Sequence, residues 1–167
     1  SGVRGGLVVH FGAGDGKLTA ALHANDSYLV EGLESNPERV AAARRHIQSL
    51  GIYGSVSVEH HAGSRLPYVD GLVNLFVTAD LRGLPMDEVL RVLAPGGVAC
   101  VGAGGKWTAT RKPRPESLDE WTHSLYDAGN NAVGRDTAVG PPHHLQWVAE
   151  PLNARHHEHL ASVSAVV

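Results

Sequence analysis

The chain has 167 residues, of which 43% are hydrophobic and 19% are charged, and its formal net charge is −3 at pH 7. One domain holds roughly 100–200 residues, and this apolar fraction excludes an intrinsically disordered chain. The small negative charge gives no indication of sequence-independent binding to nucleic acid, and no apolar run reaches the roughly 18 residues that a membrane span needs. The single cysteine, Cys100, excludes an internal disulfide and a cysteine-built zinc site. Because a lone thiol fits a reducing compartment, we expect a cytoplasmic protein.

Strand-like and helix-like runs alternate in the first part of the chain. Five runs have the apolar or alternating character of strands, namely residues 7–11, 28–33, 55–59, 72–77 and 98–102. Three runs between them have helical spacing or helix-start residues, namely residues 17–23, 38–50 and 86–93. This order predicts an α/β fold with a Rossmann-like parallel sheet, strand order 3-2-1-4-5, flanked by helices.

The second part of the chain loses this alternation. It holds all three tryptophans, Trp107, Trp121 and Trp147, and six of the eleven histidines. We therefore predict two domains, a Rossmann-like domain over residues 1–105 and an irregular extension rich in glycine, proline and histidine over residues 106–167, with one helix over residues 116–126. The apolar run 161–167 breaks off in mid-pattern, so we expect a fragment of a longer protein, and its exposed strand edge would favour a homo-oligomer.

The most informative stretch joins the first strand to the first helix. Its glycines, Gly12, Gly14 and Gly16, let the backbone turn tightly and approach a ligand, and the helix start behind them favours an anionic group or a nucleoside. A dinucleotide fingerprint would need a glycine where Lys17 stands, which disfavours NAD. The next strand ends at Glu34, which lies 20 residues beyond Gly14, where an acid can accept ribose hydroxyls. The alternative for Glu34 is a solvated acid at a helix start.

Several segments of residues 6–103 resemble class I S-adenosylmethionine-dependent methyltransferases: the glycine run at 12–16, the Glu-Ser-Asn-Pro-Glu run at 34–38, the Leu-Pro-Tyr run at 66–68, and residues 88–98 with their Pro-Gly-Gly turn. The resemblance implies S-adenosylmethionine as the cofactor and methyl transfer to an acceptor that is a small molecule or otherwise unknown. It implies that Gly12, Ala13, Gly14 and Gly16 contact the methionine and ribose parts of the cofactor, with Glu34 on the ribose diol. Further candidate cofactor-binding residues are Asp15, Ser35, His61 and Ala62, the alternative for His61 being a surface residue at the end of a strand.

The chain also departs from that family's pattern. The acid that meets the adenine amino group in the family is absent, and His61, Ala62 and Gly63 stand in its place. No antiparallel hairpin is expected after the fifth strand. Asp80 follows the fourth strand and is a candidate catalytic residue, the alternative being an acid that caps a loop. A non-catalytic, degenerate methyltransferase module of a larger protein is therefore an alternative function.

The extension carries two further hypotheses. His156, His157 and His159 are candidate metal ligands, because imidazoles suit zinc, copper or nickel, and they raise the alternative of a histidine-metal hydrolase or lactonase. Four segments, residues 119–123, 130–133, 139–142 and 145–147, resemble the junction before a pyrroloquinoline-quinone-type β-propeller in large bacterial proteins. That resemblance implies that residues 143–167 begin a truncated propeller.

Overall fold

The computed structural model describes residues 1–120, 122–124, 126–129, 131 and 133–137, and the chain divides into two units, Ser1–Pro113 and Arg114–Val167. The helices and strands of the described residues are, in chain order, β1 (Gly6–Phe11), α1 (Lys17–Ala21), β2 (Tyr28–Glu34), α2 (Pro37–Ser49), β3 (Val56–His60), β4 (Val73–Thr78), α3 (Met86–Val92), β5 (Leu93–Ala103) and β6 (Lys106–Arg111). No helix in this described part is long and apolar enough to cross a membrane.

The strands form one sheet in the order β3-β2-β1-β4-β5-β6. The first five strands are parallel, and the predicted order 3-2-1-4-5 is confirmed. Because β1 lies between β2 and β4, the chain leaves β1 toward one side of the sheet and later returns to its other side. The crevice that opens at such a reversal, outside the carboxyl ends of the strands, is where α/β proteins bind ligands.

An antiparallel hairpin closes the sheet, and the expectation that none follows the fifth strand is wrong. β6 pairs with β5 from Val98 opposite Arg111 to Ala103 opposite Lys106. The two-residue turn is Gly104-Gly105, and both residues have positive φ, 57° and 81°, as tight hairpin turns require. The first unit includes this hairpin and runs to Pro113.

Two apolar cores cover the two faces of the sheet. Val8 of β1 packs with Val40 and Ile47 of α2, whereas the next residue, Val9, packs on the other face with α3 and the loops beside it. This alternation follows from the period of two along a strand, and burial on both faces explains why the parallel strands are apolar throughout. The helix α2 begins where the Asn36 side chain accepts hydrogen bonds from two backbone N–H groups of its first turn.

The second unit contains no helix in its described residues, so the helix predicted over residues 116–126 is wrong there. Thr122 N donates to the Tyr126 carbonyl at 2.9 Å, and His123 bridges Tyr126, which makes a tight reversal of the chain. The Tyr126 hydroxyl donates to the carboxylate of Asp119. These backbone hydrogen bonds and the contact between the two side chains hold the chain in a turn instead of a helix.

Candidate functional site

The glycine loop is bent back onto the end of β2. Gly12, Gly14 and Gly16 have φ values of 83°, 57° and 81°, a region that L side chains rarely adopt. The backbone N–H groups of Gly12 and Ala13 both donate to the Leu33 carbonyl, at 2.8 and 3.0 Å. The sequence therefore needs glycine here because the loop must turn tightly while staying hydrogen-bonded to its neighbouring strand.

The residues of this loop have different structural roles. A Cβ on Gly16 would lie 2.9 Å from the Ala43 Cβ, so Gly16 allows α2 to pack closely against the loop. The Ala13 side chain is buried in the core, and Asp15 is exposed and pairs with Lys17 at 2.9 Å. Gly14 has open space on the side where a Cβ would point, with its nearest atom at 4.0 Å. These contacts leave Gly12 and Gly14 as the loop residues that could face a ligand.

Glu34 is a buried carboxylate tied to the loop. It is 1% exposed, and its Oε2 accepts a hydrogen bond from Gly14 N at 2.9 Å. Its Oε1 accepts from Ser35 N at 2.9 Å and from Asn36 N at 3.1 Å. Burial by itself would raise the pKa of Glu34, but the backbone donors of Gly14 and Asn36 and the charge of Arg82 hold that pKa below its usual value. Glu34 is consequently ionised at neutral pH.

A cavity of about 230 Å³ opens beside these residues. It is lined by Phe11, Gly12, Leu33, Ser35, His61, Ala62, Gly63 and Arg82. A second cavity of about 140 Å³ shares Phe11, Ala62, Gly63 and Arg82 and adds Ser64, Gly83 and Leu84. Both cavities lie where β1, β2, β3 and β4 end, which is the crevice that the sheet topology predicts. Glu34 lies directly behind the larger cavity and does not line it.

His61 lines this cavity and has a ring nitrogen without a hydrogen-bond partner in the described part of the chain. Its backbone N–H donates to the Glu34 carbonyl at 2.9 Å, which fixes the residue at the end of β3. Its Nε2 is buried and has no hydrogen-bond partner among the described residues. The neighbouring His60 instead holds β2, with Nε2 3.0 Å from the Ser35 carbonyl oxygen. Because a buried polar atom without a partner is costly, His61 Nε2 is suited to a hydrogen bond with a ligand.

The loop after β4 contributes a cation that the sequence analysis missed. Thr78 Oγ1 donates to the Asp80 carbonyl at 2.7 Å, and Asp80 Oδ1 accepts from Arg82 N at 2.9 Å. Asp80, the candidate catalytic residue, thus shapes the loop that carries Arg82. Arg82 has a positive φ of 50° and lines both cavities. The available signal was an Asp-Leu-Arg-Gly run directly after the fourth strand, at the sheet edge that holds ligands.

A second missed residue, His10, lies beneath the glycine loop. It is buried on β1, and its Nδ1 lies 2.8 Å from Thr19 Oγ1 of α1. Burial lowers the pKa of His10 to about 4, although the charge of Glu34 opposes that shift. The imidazole is therefore neutral at pH 7 and links β1 to α1. Its signal in the sequence is a polar residue inside an apolar strand.

The metal hypothesis concerns another part of the chain. His156, His157 and His159 lie outside the described residues, as do Trp121 and Trp147. In the part of the chain that the structure describes, no group of three histidine, cysteine, aspartate or glutamate residues could hold a metal ion.

A family model described as a methyltransferase domain matches residues 8–97, more than half of the chain, and the chain therefore belongs to that family. A search of curated proteins gave no match.

Solved structures share the fold. A candidate S-adenosyl-L-methionine-dependent methyltransferase from Methanococcus maripaludis is 20% identical, with a TM-score of 0.56, over 63% of this chain and 51% of that one. Geranyl diphosphate C-methyltransferase from Streptomyces coelicolor A3(2) is 20% identical, with a TM-score of 0.55, over 60% of this chain and 40% of that one. The [4+2]-cyclase SpnF is 24% identical, with a TM-score of 0.54, over 59% of this chain and 39% of that one. The chain thus spans about half, or less, of the length of these proteins.

Proposed function

We propose that the first unit binds S-adenosylmethionine at the carboxyl ends of β1, β2 and β3 and transfers its methyl group to a small-molecule acceptor. The observation that carries this proposal is Glu34, a buried and ionised carboxylate bonded to the glycine loop at the edge of a cavity. Membership of the methyltransferase domain family supports it. Structures with a similar fold also support it, since geranyl diphosphate methyltransferases have been solved with S-adenosyl-L-homocysteine and with SAM.

The residues present fit such a cofactor. Oε2 of Glu34 accepts one hydrogen bond from the backbone, and a carboxylate oxygen can accept two, so it keeps an acceptor position for a ribose hydroxyl. Because Glu34 is 1% exposed, that contact requires a local shift that opens the carboxylate to the cavity. The orphaned Nε2 of His61 offers a partner to a nucleoside base. The larger cavity, about 230 Å³, is below the roughly 300–1,000 Å³ of small-molecule sites. The adjoining cavity beyond Arg82 supplies further room when that side chain shifts.

Each predicted residue would have a distinct task. Gly12 and Gly14 would let the ligand approach the backbone, while Ala13, Asp15 and Gly16 would keep the loop in shape. Ser35, His61 and Ala62 would line the nucleoside end, with Glu34 behind them.

The reaction does not require the protein to form a covalent bond with either reactant. When bound, S-adenosylmethionine supplies a sulfonium methyl group: a lone pair of the acceptor forms the bond to the methyl carbon while the carbon–sulfur bond breaks and sulfur keeps that electron pair. The residues of the site would hold the two reactants in line and keep water out, which accounts for much of the rate of such a displacement. Asp80 would act through the loop that it shapes, because its Oδ1 is occupied by Arg82 N.

Calorimetry with S-adenosylhomocysteine tests the binding proposal. We expect the wild type to bind it and Glu34→Gln to bind it at least tenfold more weakly, because a charge-assisted hydrogen bond is lost (about 1.5–3 kcal/mol). Glu38→Gln, an exposed acid in the first turn of α2, is the matched control and should bind normally. Absence of binding by the wild type at millimolar ligand would refute the proposal.

The principal alternative is a non-catalytic module with the same fold. SpnF, a [4+2]-cyclase, has this fold, so the fold alone does not imply methyl transfer. Incubation with methyl-labelled S-adenosylmethionine and a metabolite extract separates the two. Methyl transfer predicts a labelled product that is lost in Glu34→Gln, whereas a binding module predicts affinity without any product.

The hypotheses on the extension stay predictions. The resemblance to a propeller junction, the homo-oligomer through a C-terminal strand and the histidine-metal hydrolase rest mainly on residues outside the described ranges. The cytoplasmic location rests on the single thiol, Cys100. Elemental analysis of untagged protein checks the metal: the hydrolase alternative requires stoichiometric zinc, copper or nickel.

A further inference from the structure

We propose that Arg82 is the anion-binding residue of this site and holds a carboxylate or phosphate group of a bound small molecule. The proposal rests on the proposed function only for the identity of the cofactor. The carboxylate could belong to the amino-acid end of the cofactor, or the anion could belong to the methyl acceptor, and the two sources share the same chemistry.

The glycine loop itself has few donors to offer an anion. The N–H groups of Gly12 and Ala13 donate to Leu33 O, that of Gly14 donates to Glu34, and that of Gly16 donates to Ala13 O. Lys17 N, at the start of α1, donates to Asp15 Oδ1 at 3.1 Å. These amides already donate hydrogen bonds within the protein, so a negatively charged ligand needs a donor from elsewhere.

Among the residues that line the two cavities, Arg82 is the one that carries a formal positive charge. Its guanidinium lies against the glycine loop, with Nη2 3.4 Å from the position that a Gly12 Cβ would take. Arg82 lines both cavities, together with Phe11, Ala62 and Gly63. An anion in either cavity would be within reach of this one group.

The donors of this guanidinium are unused within the described residues. Its nearest carboxylate oxygen is Glu34 Oε1 at 3.8 Å, which is too long for a hydrogen bond. That oxygen already accepts from two backbone N–H groups. A guanidinium carries five N–H donors in a planar fork that matches carboxylate and phosphate oxygens. The side chain is 44% exposed, so it can turn from Glu34 toward a ligand without breaking a hydrogen bond to the described residues.

The loop after β4 holds Arg82 at this place. Asp80 accepts a hydrogen bond from Arg82 N, and Thr78 fixes Asp80 in turn. Leu84 N then donates to Leu81 O at 2.8 Å and closes the turn. The backbone of Arg82 is therefore positioned by three local contacts while its side chain stays unbonded, which is the arrangement expected of a residue reserved for a ligand.

Charge balance also favours an anion in the site. In the protein without ligand, the charges of Arg82 and Glu34 offset each other at 3.8 Å. A bound sulfonium adds one positive charge to this pair, so a negative group near Arg82 would be attracted to the site.

The first arm of the test compares two nucleosides. S-adenosylhomocysteine carries an amino-acid carboxylate and 5′-methylthioadenosine does not. If Arg82 holds the cofactor carboxylate, Arg82→Gln should weaken the first at least tenfold and leave the second within twofold, and unchanged binding of the second also shows that the variant is folded. Arg45→Gln, an exposed arginine of α2, is the matched control.

The second arm tests the acceptor as the source. Inorganic phosphate is titrated into protein saturated with S-adenosylhomocysteine, and arginine Nε–H signals are followed by NMR. A saturable shift of the Arg82 signal, assigned by its loss in Arg82→Gln, with no shift at Arg45, supports an acceptor anion. The proposal is overturned if Arg82→Gln leaves both nucleosides unchanged and the Arg82 signal does not saturate, or if the variant binds both more tightly. Should the wild type bind neither nucleoside, the proposed function fails, while phosphate titration of the free protein still decides the role of Arg82.

Discussion

The two loops that frame the candidate site, one after β1 and one after β4, reach the same edge of the sheet by different means. The loop after β1 depends on backbone that only glycine adopts readily, with φ between 57° and 83° at three positions. The loop after β4 depends on side chains, since Thr78 and Asp80 supply its hydrogen bonds. The first kind of loop leaves a pattern that can be recognised in one sequence. The second leaves only the weaker signal of a short Asp-Leu-Arg-Gly run after β4, although it carries the positive charge of the candidate site.

Substitution of a packing glycine should have the largest effect on the first loop. In Gly16→Ala, the new Cβ would stand 2.9 Å from Ala43 Cβ, at a φ of 81°. Overpacking costs roughly 1–3 kcal/mol and the left-handed backbone about 1 kcal/mol more, so we expect a loss of about 3 kcal/mol in urea unfolding. Gly51→Ala has a φ of 72° and open space around it, so it should lose only the backbone part. Equal losses in the two variants would show that the contact with α2 is unimportant.

The pH dependence of stability probes the support beneath that loop. His10 has a folded pKa of about 4, below the ordinary histidine value of 6.5, so the unfolded chain binds the extra proton between these values. Stability is therefore full above pH 6.5 and falls as the pH drops, by roughly 1.4 kcal/mol per unit, or about 2 kcal/mol between pH 6.5 and 5. Denaturant unfolding at several pH values should give this slope for the wild type and a flatter one for His10→Gln. Parallel slopes would contradict a buried neutral His10.

The order of the first five strands could be predicted because burial on both faces makes them apolar throughout and separates them clearly from the helices. The hairpin strand β6 could not be predicted, because all of its residues are exposed and it therefore has no pattern of buried apolar residues. The sequence signal that could have indicated the hairpin was the Gly104-Gly105 turn. For the candidate site, the glycine pattern pointed to Gly12, which lines the cavity, and the strand end pointed to Glu34, which is buried beside it. Their part in ligand binding stays a prediction. Arg82 lines the same cavity from the loop after β4, where the spacing of residues gave no pattern to recognise.

Two substitutions of Asp80 distinguish a loop-forming role of this residue from a catalytic one. Asp80→Asn keeps an oxygen that can accept from Arg82 N, so it should leave stability and any methyl transfer nearly unchanged. Asp80→Ala removes that acceptor and should cost about 1 kcal/mol, the typical worth of one hydrogen bond. Thermal unfolding and transfer to a labelled product measure the two effects. A catalytic base would instead lose its activity in both variants while the stability of Asp80→Asn stays intact.

The smallest effect is expected at Asp15, the most exposed of the predicted glycine-loop residues. Its carboxylate pairs with Lys17 in solvent and accepts from Lys17 N, and neither contact lies among the residues that line the cavity. Surface ion pairs contribute little, because water already stabilises both charges. Asp15→Asn retains the acceptor for Lys17 N, so calorimetry should give an affinity for S-adenosylhomocysteine within twofold of the wild type. A tenfold loss would mean that the loop presents Asp15 to the ligand, and the ligand-facing part of the glycine loop would then extend beyond Gly12 and Gly14 to its exposed corner.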